Sequence, residues 1–237
     1  MDFYTRISDY YNDIFPLNKA QQPFVRSCAS NTNSILDIGC GTGGLAIELA
    51  DIFDSVSAID PNEEMLDIAK EGTINTNIEF RVGGMLDVDN LYEKTSFDVV
   101  ICFGNTVVHL NNLDEIRLFF KKVKAILKPN GSFLFQIINY DNVLDNNLVG
   151  LPTINNGNIK FERNYSLDAD GKIDFSTNLT NKETGEEISN NVKLFPVRKK
   201  EVEDALTDAG FSTIKAYSSF KKDAYNAGSL PLVFECC

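Results

Sequence analysis

Short apolar runs alternate with segments of helical periodicity over the first 140 residues of the chain. The runs predict strands at 34–38, 56–59, 78–82, 97–103 and 132–138, and the helical spacing predicts helices at 45–52, 65–69 and 113–127. The motif Lys128-Pro129-Asn130-Gly131 predicts a turn between the last helix and the last strand. Strands that alternate with helices indicate an α/β fold with a parallel sheet and right-handed crossovers.

The pattern changes near residue 151. Apolar residues recur at even spacing in 159–165, 173–179 and 188–194, with turn candidates at Asp168-Ala-Asp-Gly171 and Lys182-Glu-Thr-Gly185. These runs predict an antiparallel β meander inserted after the fifth strand. A helix at 198–209 that ends at Gly210 follows, and strands at 214–217 and 232–234, one of them antiparallel, complete the main sheet. We expect one domain formed by 1–150 and 197–237, with 151–196 as an inserted subdomain.

The N-terminal segment has apolar and aromatic residues at a spacing that predicts one face of a short helix, which Pro16 ends. The residues on that face are Phe3, Ile7, Tyr10 or Tyr11, and Ile14. Such a helix either packs against the core or closes over a site.

A glycine-rich turn follows the first predicted strand, in Ser34-Ile-Leu-Asp-Ile-Gly-Cys-Gly-Thr-Gly-Gly44, and the next strand ends in Ala58-Ile-Asp-Pro61. A loop that passes beneath a cofactor needs backbone without Cβ atoms, sometimes at positive φ, and Gly39, Gly41 and Gly43 or Gly44 provide it. Asp60 lies at a strand end, where a carboxylate accepts two hydrogen bonds from a ribose diol. The pattern therefore predicts an adenosine site in a nucleotide-binding fold.

The spacing Gly39-x-Gly41-x-x-Gly44 also satisfies the dinucleotide fingerprint, which cradles a pyrophosphate. Asp37 favours a different ligand, because it comes two positions before the first glycine, at the carboxyl end of the strand. A carboxylate there would repel a phosphate by roughly 4 kcal/mol per charge pair at about 4 Å. A cofactor with an ammonium and a sulfonium group would instead be attracted.

The motif Leu36-Asp-Ile-Gly-Cys-Gly-Thr-Gly43 resembles the first motif of class I S-adenosylmethionine-dependent methyltransferases. The resemblance continues in order through Ala58-Ile-Asp-Pro-Asn-Glu-Glu-Met-Leu66, Phe97-Asp-Val-Val-Ile-Cys-Phe-Gly-Asn105 and Leu127-Lys-Pro-Asn-Gly-Ser132. It covers about residues 34–140. It implies a Rossmann-like, seven-stranded, mostly parallel sheet flanked by helices, and methyl transfer from S-adenosyl-L-methionine.

The resemblance also implies roles for single residues. Asp37 and the turn would hold the methionyl ammonium and tail, Asp60 the ribose, and Pro61 and Met65 would cover the adenine. The alternative for Met65, which falls at helical spacing, is plain core packing. In full, the residues expected at the cofactor are Asp37, Gly39, Cys40, Gly41, Gly43, Asp60, Pro61, Met65, Gly84, Met85, Phe103, Gly104 and Asn105.

One position departs from the family pattern. Many members have Gly-Asp-Met or Gly-Asp-Ala after the third strand, with the acid accepting from the adenine amino group. This chain reads Val82-Gly83-Gly84-Met85-Leu86-Asp87, so Gly84 stands where the acid is expected. Adenine recognition would then fall to the Met85 backbone amide, with Asp87 either a substitute acceptor or a turn and cap carboxylate.

Two residues are candidates for the chemistry. His109, the sole histidine, follows the fourth strand, where the family places residues near the transferring methyl, and its ordinary pKa suits proton transfer near neutrality. Tyr11 is the N-terminal aromatic residue expected to close over the cofactor. The alternatives are a hydrogen-bonded residue before the helix for His109, and simple core packing for the N-terminal helix.

The inserted meander is similar in layout to that of nucleotide-sugar N-methyltransferases, in which it covers the same end of the sheet. Arg163 and Tyr165 share a strand face and Arg198 comes just after the meander, so each is a candidate contact for an acceptor with a carboxylate or phosphate. Ordinary surface roles, or a homodimer contact through the insertion, are the alternatives. The expected reaction is methylation of a small-molecule nitrogen or oxygen, with nitrogen preferred.

Composition narrows the partners. A net charge of −12 and a pI near 4.6 argue against a nucleic-acid substrate, and no apolar run is long enough to span a membrane. The N-terminus lacks a secretory pattern, and five cysteines without metal spacing suit a reducing compartment, so we expect a cytoplasmic protein without bound metal. Two rival functions are a nicotinamide-dependent oxidoreductase and a non-catalytic regulator that binds S-adenosylmethionine.

Overall fold

Two β-sheets organise the chain in the computed structural model, which describes residues 4–237. The strands are β1 (Ser34–Ile38), β2 (Ser55–Asp60), β3 (Ile78–Val82), β4 (Phe97–Cys102), β5 (Leu127–Ile138), β6 (Gly150–Asn155), β7 (Ile159–Leu167), β8 (Ile173–Asn181), β9 (Glu187–Leu194), β10 (Ile214–Tyr217) and β11 (Pro231–Cys236). The larger sheet has the order β10-β11-β5-β4-β1-β2-β3, and the smaller has β6-β7-β8-β9.

The larger sheet confirms the predicted Rossmann-like α/β fold. Strand β11 runs antiparallel to β5 and β10, and the pairs among β1 to β5 are parallel. Because the carboxyl ends of parallel strands meet at one edge of a sheet, the residues that follow β1, β2, β3 and β4 lie together. The inserted antiparallel meander after β5 is also confirmed.

Helices cover both faces of this sheet. They are α1 (Tyr11–Ile14), α2 (Gln21–Cys28), α3 (Gly44–Leu49), α4 (Glu63–Glu71), α5 (Val88–Leu91), α6 (Leu113–Ile126), α7 (Tyr140–Asp145) and α8 (Lys199–Asp208), with 3-10 helices at Thr5–Tyr10, Met85–Asp87 and Thr106–His109. Asparagine side chains cap two of them: Asn62 accepts from the Met65 amide at 3.0 Å before α4, and Asn112 accepts from the Glu115 amide at 2.9 Å before α6.

Two local predictions were wrong. The meander has four strands rather than three. The sequence did not predict β6, because its pairing with β7 has a register shift between Leu151 and Ile154 that hides the even spacing. The segment Lys128-Pro129-Asn130-Gly131 is a bulge within β5 rather than a turn before it. Asn130 has a φ of 64° there, which an asparagine adopts more readily than most residues.

The N-terminal segment packs against the meander. Ile7 and Ile14 are fully buried and contact Phe161 and Leu179 on the inner face of the smaller sheet. Phe3, which was predicted on the same helical face, lies outside the described residues. Among residues 4–237, no helix is long and apolar enough to cross a membrane.

Candidate functional site

The glycine-rich turn folds back over the end of β2. The amides of Gly39 and Cys40 both donate to the Ile59 carbonyl, at 2.8 and 3.1 Å. Gly39 and Gly41 have φ values of 74° and 55°, a region that residues with a Cβ rarely adopt. A Cβ at Gly39 would lie 2.6 Å from the Thr106 side chain, so a glycine is needed for this close approach.

Asp60 is fixed by the turn that it faces. Its Oδ2 accepts from the Gly41 amide at 2.9 Å, and its Oδ1 accepts from the Asn62 amide at 2.9 Å. Each carboxylate oxygen has a second lone pair for a further donor. Asp60 also lies on the wall of a cleft, where its carboxylate faces any ligand that binds.

The first cleft opens to solvent and contains about 840 Å³ of space that no protein atom occupies, part of which is open solvent. Its walls come from the ends of β1 to β4, the N-terminal segment and the helix Thr106–His109. The lining residues are Tyr4, Tyr11, Ile38, Gly39, Gly41, Asp60, Pro61, Met65, Gly83, Gly84, Met85, Phe103, Gly104, Thr106 and His109.

A second cleft of about 680 Å³ adjoins the first on the other side of Tyr11. It shares four residues with the first cleft, namely Tyr11, Gly39, Phe103 and Gly104. Its remaining walls are Asn12, Phe15, Pro16, Leu17, Asn18, Gln21, Asp37, Cys40, Thr42, Gly44 and Leu45. The acid at the end of β2, Asp60, thus faces one cleft, and the acid of β1, Asp37, faces the other.

Asp37 has an unusual electrostatic environment. Its side chain is 5% exposed, and burial, together with the negative charge of Asp60, raises its pKa to about 7. Near neutrality this carboxyl is therefore about half ionised in the ligand-free protein. A cation in the second cleft would favour the ionised form, whereas a phosphate would disfavour it.

Tyr11 separates the two clefts. Its ring lies against Gly41, where an added Cβ would approach the ring atoms to 3.0–3.1 Å. Burial and the nearby Asp60 raise its pKa above the ordinary range, so the hydroxyl stays protonated. The side chain is thus a neutral hydrogen-bonding group between two acids.

Two of the predicted cofactor residues line neither cleft. Gly43 packs against α4 and β3, because a Cβ there would lie 2.8 Å from Ala69 and 2.9 Å from the Phe80 ring. The Asn105 side chain joins β4 to β5: its Oδ1 accepts from the Ile138 amide at 2.8 Å, and its Nδ2 donates to the Tyr140 hydroxyl at 3.1 Å. Both residues therefore have structural roles.

The structure decides between the two alternatives for Asp87. Its Oδ2 accepts from the Gly84 amide at 2.9 Å, so it caps the helix Met85–Asp87. Gly84 and Met85 line the first cleft, whereas Asp87 does not. The acid that is missing at Gly84 thus has no direct replacement from Asp87.

His109 lies on the wall of the first cleft, in contact with the N-terminal segment. Its Nε2 and the Tyr4 hydroxyl are 3.0 Å apart, and the ring centroids are 5.6 Å apart. Which atom donates depends on the tautomer of the imidazole. The predicted alternative, a hydrogen-bonded histidine before a helix, is thus also satisfied, but its partner lies at the site.

The three candidate acceptor residues separate. Arg198 is partly buried, and its guanidinium pairs with Asp141 and Asp145, each at 2.9 Å. It lines neither cleft, and its substrate role stays a prediction. Tyr165 is buried, and its hydroxyl contacts that of Tyr140. Arg163 lies on the same face of β7 as Tyr165.

Sequence reasoning missed Tyr4, Thr106 and Tyr140 in this region. Thr106 follows the motif 97–105 directly, which was a usable signal. Tyr4 and Tyr140 carried no signal, because contacts over 105 and 35 residues of sequence bring them to His109 and Asn105. Among residues 4–237, no group of three or more His, Cys, Asp or Glu side chains is placed to hold a metal ion.

Comparison with known proteins agrees with this geometry. A family model described as a methyltransferase domain matches residues 35–131. The glycine/sarcosine N-methyltransferase of Aphanothece halophytica is 27% identical over 191 residues, which are 79% of this chain and 69% of that protein.

Solved structures share the fold over nearly the whole chain. An S-adenosylmethionine-dependent methyltransferase from Clostridium acetobutylicum superposes with a TM-score of 0.80 and 18% identity, covering 99% of this chain and 98% of that one. An amino pentose methyltransferase from Micromonospora echinaspora, solved with S-adenosylmethionine bound, has a TM-score of 0.69, 17% identity and coverage of 100% and 98%. The chain thus carries a methyltransferase domain at residues 35–131 and shares the fold of S-adenosylmethionine-dependent methyltransferases over nearly its whole length.

Proposed function

We propose that the two clefts together hold S-adenosylmethionine, and that the cofactor passes between them beside Tyr11. The observation that carries this proposal is the division of acids: Asp60 faces the first cleft and Asp37 the second, with Gly39, Phe103 and Gly104 common to both. An adenosine with a cationic tail fits such a pair of clefts. A pyrophosphate would instead lie between two carboxyl groups.

In this arrangement Asp60 accepts from the ribose hydroxyls. Pro61, Met65 and Met85 form an apolar wall for the adenine. Asp37 attracts the methionyl ammonium, with Cys40 and Thr42 beside it. Gly39 and Gly41 leave room for the ligand, because both turn positions lack a Cβ.

When bound, S-adenosylmethionine supplies an electrophilic methyl group on a sulfonium. Displacement there needs a neutral nucleophile aligned at about 3–3.5 Å, so alignment and exclusion of water are the main demands on the protein. Tyr4 and Tyr11 exclude water from the N-terminal side. His109 then positions the nucleophile or takes its proton through an imidazole nitrogen.

The proposed acceptor is a small molecule with a nucleophilic nitrogen. A nucleophilic oxygen is the less favoured alternative. Relatives named for methylation of glycine, sarcosine and an amino pentose support this choice. We further propose that residues 151–196 form a cap over the acceptor. This is supported by a hydrogen bond between the residue that follows β9 and the helix that carries His109, from the Phe195 amide to the Val108 carbonyl at 2.8 Å. A cytoplasmic location and a homodimer stay predictions.

Calorimetric titration tests the cofactor assignment. Wild-type protein should bind S-adenosylmethionine and S-adenosylhomocysteine but not NAD. Asp60→Ala should weaken binding of S-adenosylmethionine by about 1–3 kcal/mol, because a charged acceptor is lost. Asp54→Ala, at the exposed start of the same strand, is the matched control. Unchanged affinity in Asp60→Ala would remove Asp60 from the site.

A transfer screen tests the acceptor class. Methyl transfer from labelled S-adenosylmethionine should occur to members of a panel of amines, amino sugars and hydroxy compounds. Binding without transfer to any of them would favour a non-catalytic regulator over an enzyme of this acceptor class.

A further inference from the structure

A row of polar side chains crosses the inner face of the meander. Strand pairing places Arg163 of β7 opposite Thr177 of β8, and Thr177 opposite Asn190 of β9. Residues that pair directly in antiparallel strands point to the same face of the sheet. Thr177 is 4% exposed and Asn190 is 8% exposed, whereas Arg163 is half-buried.

The rows on both sides of it are apolar or aromatic. One is formed by Phe161, Leu179 and Ile188, which contact Ile7 and Ile14 of the N-terminal segment. The other is formed by Tyr165, Phe175 and Val192, which pack towards the core of the larger sheet. A polar row between two apolar rows has no evident packing purpose, because three apolar residues would bury the same surface at lower cost.

The row has unused hydrogen-bonding capacity. Among residues 4–237, the Arg163 Nε and the Thr177 Oγ1 are both buried and have no hydrogen-bond partner, and the Arg163 Nη2 donates to the Pro152 carbonyl across the β6 bulge. A buried polar atom without a partner costs free energy, so such atoms are rare in native proteins unless something else binds them. Two such atoms in adjacent register positions indicate a ligand.

The sign of charge on that ligand follows from Arg163. Burial lowers the pKa of the guanidinium, and Tyr165 is the neighbouring ionisable group that acts on it. Within residues 4–237 no carboxylate forms an ion pair with Arg163, although the chain has 34 acidic residues against 22 basic ones. A half-buried guanidinium without an acidic partner is suited to an anion that arrives with the substrate.

Tyrosine hydroxyls connect this row to the candidate active site. Tyr165 is next to Arg163 on the same strand face and contacts the Tyr140 hydroxyl, and Tyr140 lies close enough to Tyr4 for an electrostatic interaction between them. Tyr4 is bonded to His109, on the wall of the first cleft. The polar row is thus within the same buried region as the groups that we place beside the reacting methyl.

We propose that Arg163 and Thr177 form an oxyanion subsite that holds a carboxylate or phosphate of the methyl acceptor, with Asn190 at the third position of the row. This inference rests on the proposed function and deepens it, since it selects a nitrogen or oxygen nucleophile that also carries an oxyanion. In the subsite the oxyanion accepts from the Arg163 Nε and from the Thr177 hydroxyl. The nucleophile then extends towards His109.

Acetate and acetamide are matched probes for this subsite, because they differ in charge but hardly in shape. With S-adenosylhomocysteine present, saturation-transfer NMR on the full chain should detect acetate binding and show that acetamide binds at least 10-fold more weakly. Arg163→Gln should weaken acetate binding by at least 10-fold, and Thr177→Val by about 3- to 10-fold. Lys160→Gln and Thr180→Val, on the opposite face of the same strands, should leave it unchanged.

Thermal unfolding provides a second measurement. Thr177→Val removes a buried hydroxyl without a partner, so it should raise the melting temperature of the ligand-free protein by roughly 2–4 °C, whereas Thr180→Val should not. A purely structural threonine would instead show a loss. Equal acetate binding in wild type, Arg163→Gln and Thr177→Val would overturn the subsite, as would equal binding of acetamide and acetate or no acetate binding to wild type.

Inorganic phosphate and acetate, run in parallel, identify which oxyanion the subsite prefers. The two proposals also fail separately. If wild-type protein does not bind S-adenosylmethionine, the proposed function is refuted. If donor binding and methyl transfer are the same in Arg163→Gln as in wild type, only the subsite is refuted.

Discussion

At the scale of single residues, the two acids of the site have opposite relations to their surroundings. Asp60 is held by two backbone amides and faces an open cleft, so it is prepared to accept hydrogen bonds. Asp37 is buried beside Asp60, and its pKa is raised to about 7. Its charge therefore depends on what binds, which makes Asp37 the residue where pH, stability and donor affinity are coupled.

Donor affinity should accordingly depend on pH. A cation favours ionised Asp37, so S-adenosylmethionine binding should strengthen about 10-fold from pH 6 to pH 8 and level off above, with proton release near pH 7. Calorimetry in buffers of different ionisation enthalpy measures both effects. Asp37→Asn should bind weakly at every pH, and an unchanged pH slope in this variant would refute the coupling.

Stability should change in the opposite sense. The pKa of Asp37 is about 7 in the folded protein against about 3.9 in the unfolded chain, so between these values the folded state binds more protons. The contribution of Asp37 to the free energy of unfolding therefore falls as pH rises from about 4 to 7. Ligand-free Asp37→Asn should be about 1–4 kcal/mol more stable than wild type at pH 8 in urea denaturation. A destabilised variant would contradict the burial argument.

His109 should affect turnover more than donor binding. If its imidazole takes the proton of the acceptor, His109→Ala should lower kcat by about 10²- to 10⁴-fold, with the Kd for S-adenosylmethionine changed less than about threefold. Tyr4→Phe, which removes the hydroxyl partner and keeps the ring, is the control for positioning. Equal kcat in wild type and His109→Ala would leave His109 with a structural role only.

At the scale of elements, the turn between β1 and α3 shows how glycines of one motif divide their duties. Gly41 faces Tyr11, which lines both clefts, whereas Gly43 allows α3 to begin close to α4 and β3. Both have positive φ, so both are strained when substituted. The difference lies in what a new side chain would meet.

Valine at each position should separate the two duties. Gly41→Val should abolish S-adenosylmethionine binding in a protein that remains folded, because the new side chain displaces Tyr11 into the cleft. Gly43→Val should mainly lower the melting temperature, because Ala69 and Phe80 are packed core residues that cannot move as freely. Circular dichroism and calorimetry on both variants measure the contrast, and normal titration of Gly41→Val would contradict it.

At the scale of the whole molecule, the N-terminal segment joins the two sheets. Its apolar side, with Ile7 and Ile14, packs on the meander, and its aromatic side, with Tyr4 and Tyr11, faces the clefts beside the larger sheet. The site is therefore closed by a segment whose position depends on the insertion. Substitutions in the meander should therefore affect binding on the acceptor side of the site.

Truncation of the joining residue tests this dependence. Ile14→Ala should cost about 2–5 kcal/mol of unfolding free energy, because Ile14 is 1% exposed and leaves a cavity against Phe161. It should also raise the acceptor KM more than the donor Kd. Ile74→Ala, at a side chain that is 98% exposed, is the matched control. Urea denaturation and steady-state kinetics provide the measurements, and equal stability of the two variants would refute the joining role.

Periodicity and local motifs determined much of this protein. The alternation of apolar runs predicted the seven-stranded sheet and its inserted meander. Buried residues recur at every second position on a strand face and at about every fourth position on a helix face, so both patterns are visible in the sequence. The glycine turn and the acids at the ends of β1 and β2 were equally visible, since a strand end is a local feature. The sequence did not predict β6, because the bulge in this strand breaks the alternation of apolar and polar residues.

Only the tertiary structure decided which candidates meet. It assigned Gly43 and Asn105 to packing, Asp87 to a helix cap and Arg198 to an ion pair, and it brought Tyr4 to His109. It also aligned Arg163 with Thr177, which no spacing within either strand reveals. The physical reason is the same in each case: a side chain's role depends on partners that chain folding brings from distant positions, and on the burial that fixes its charge.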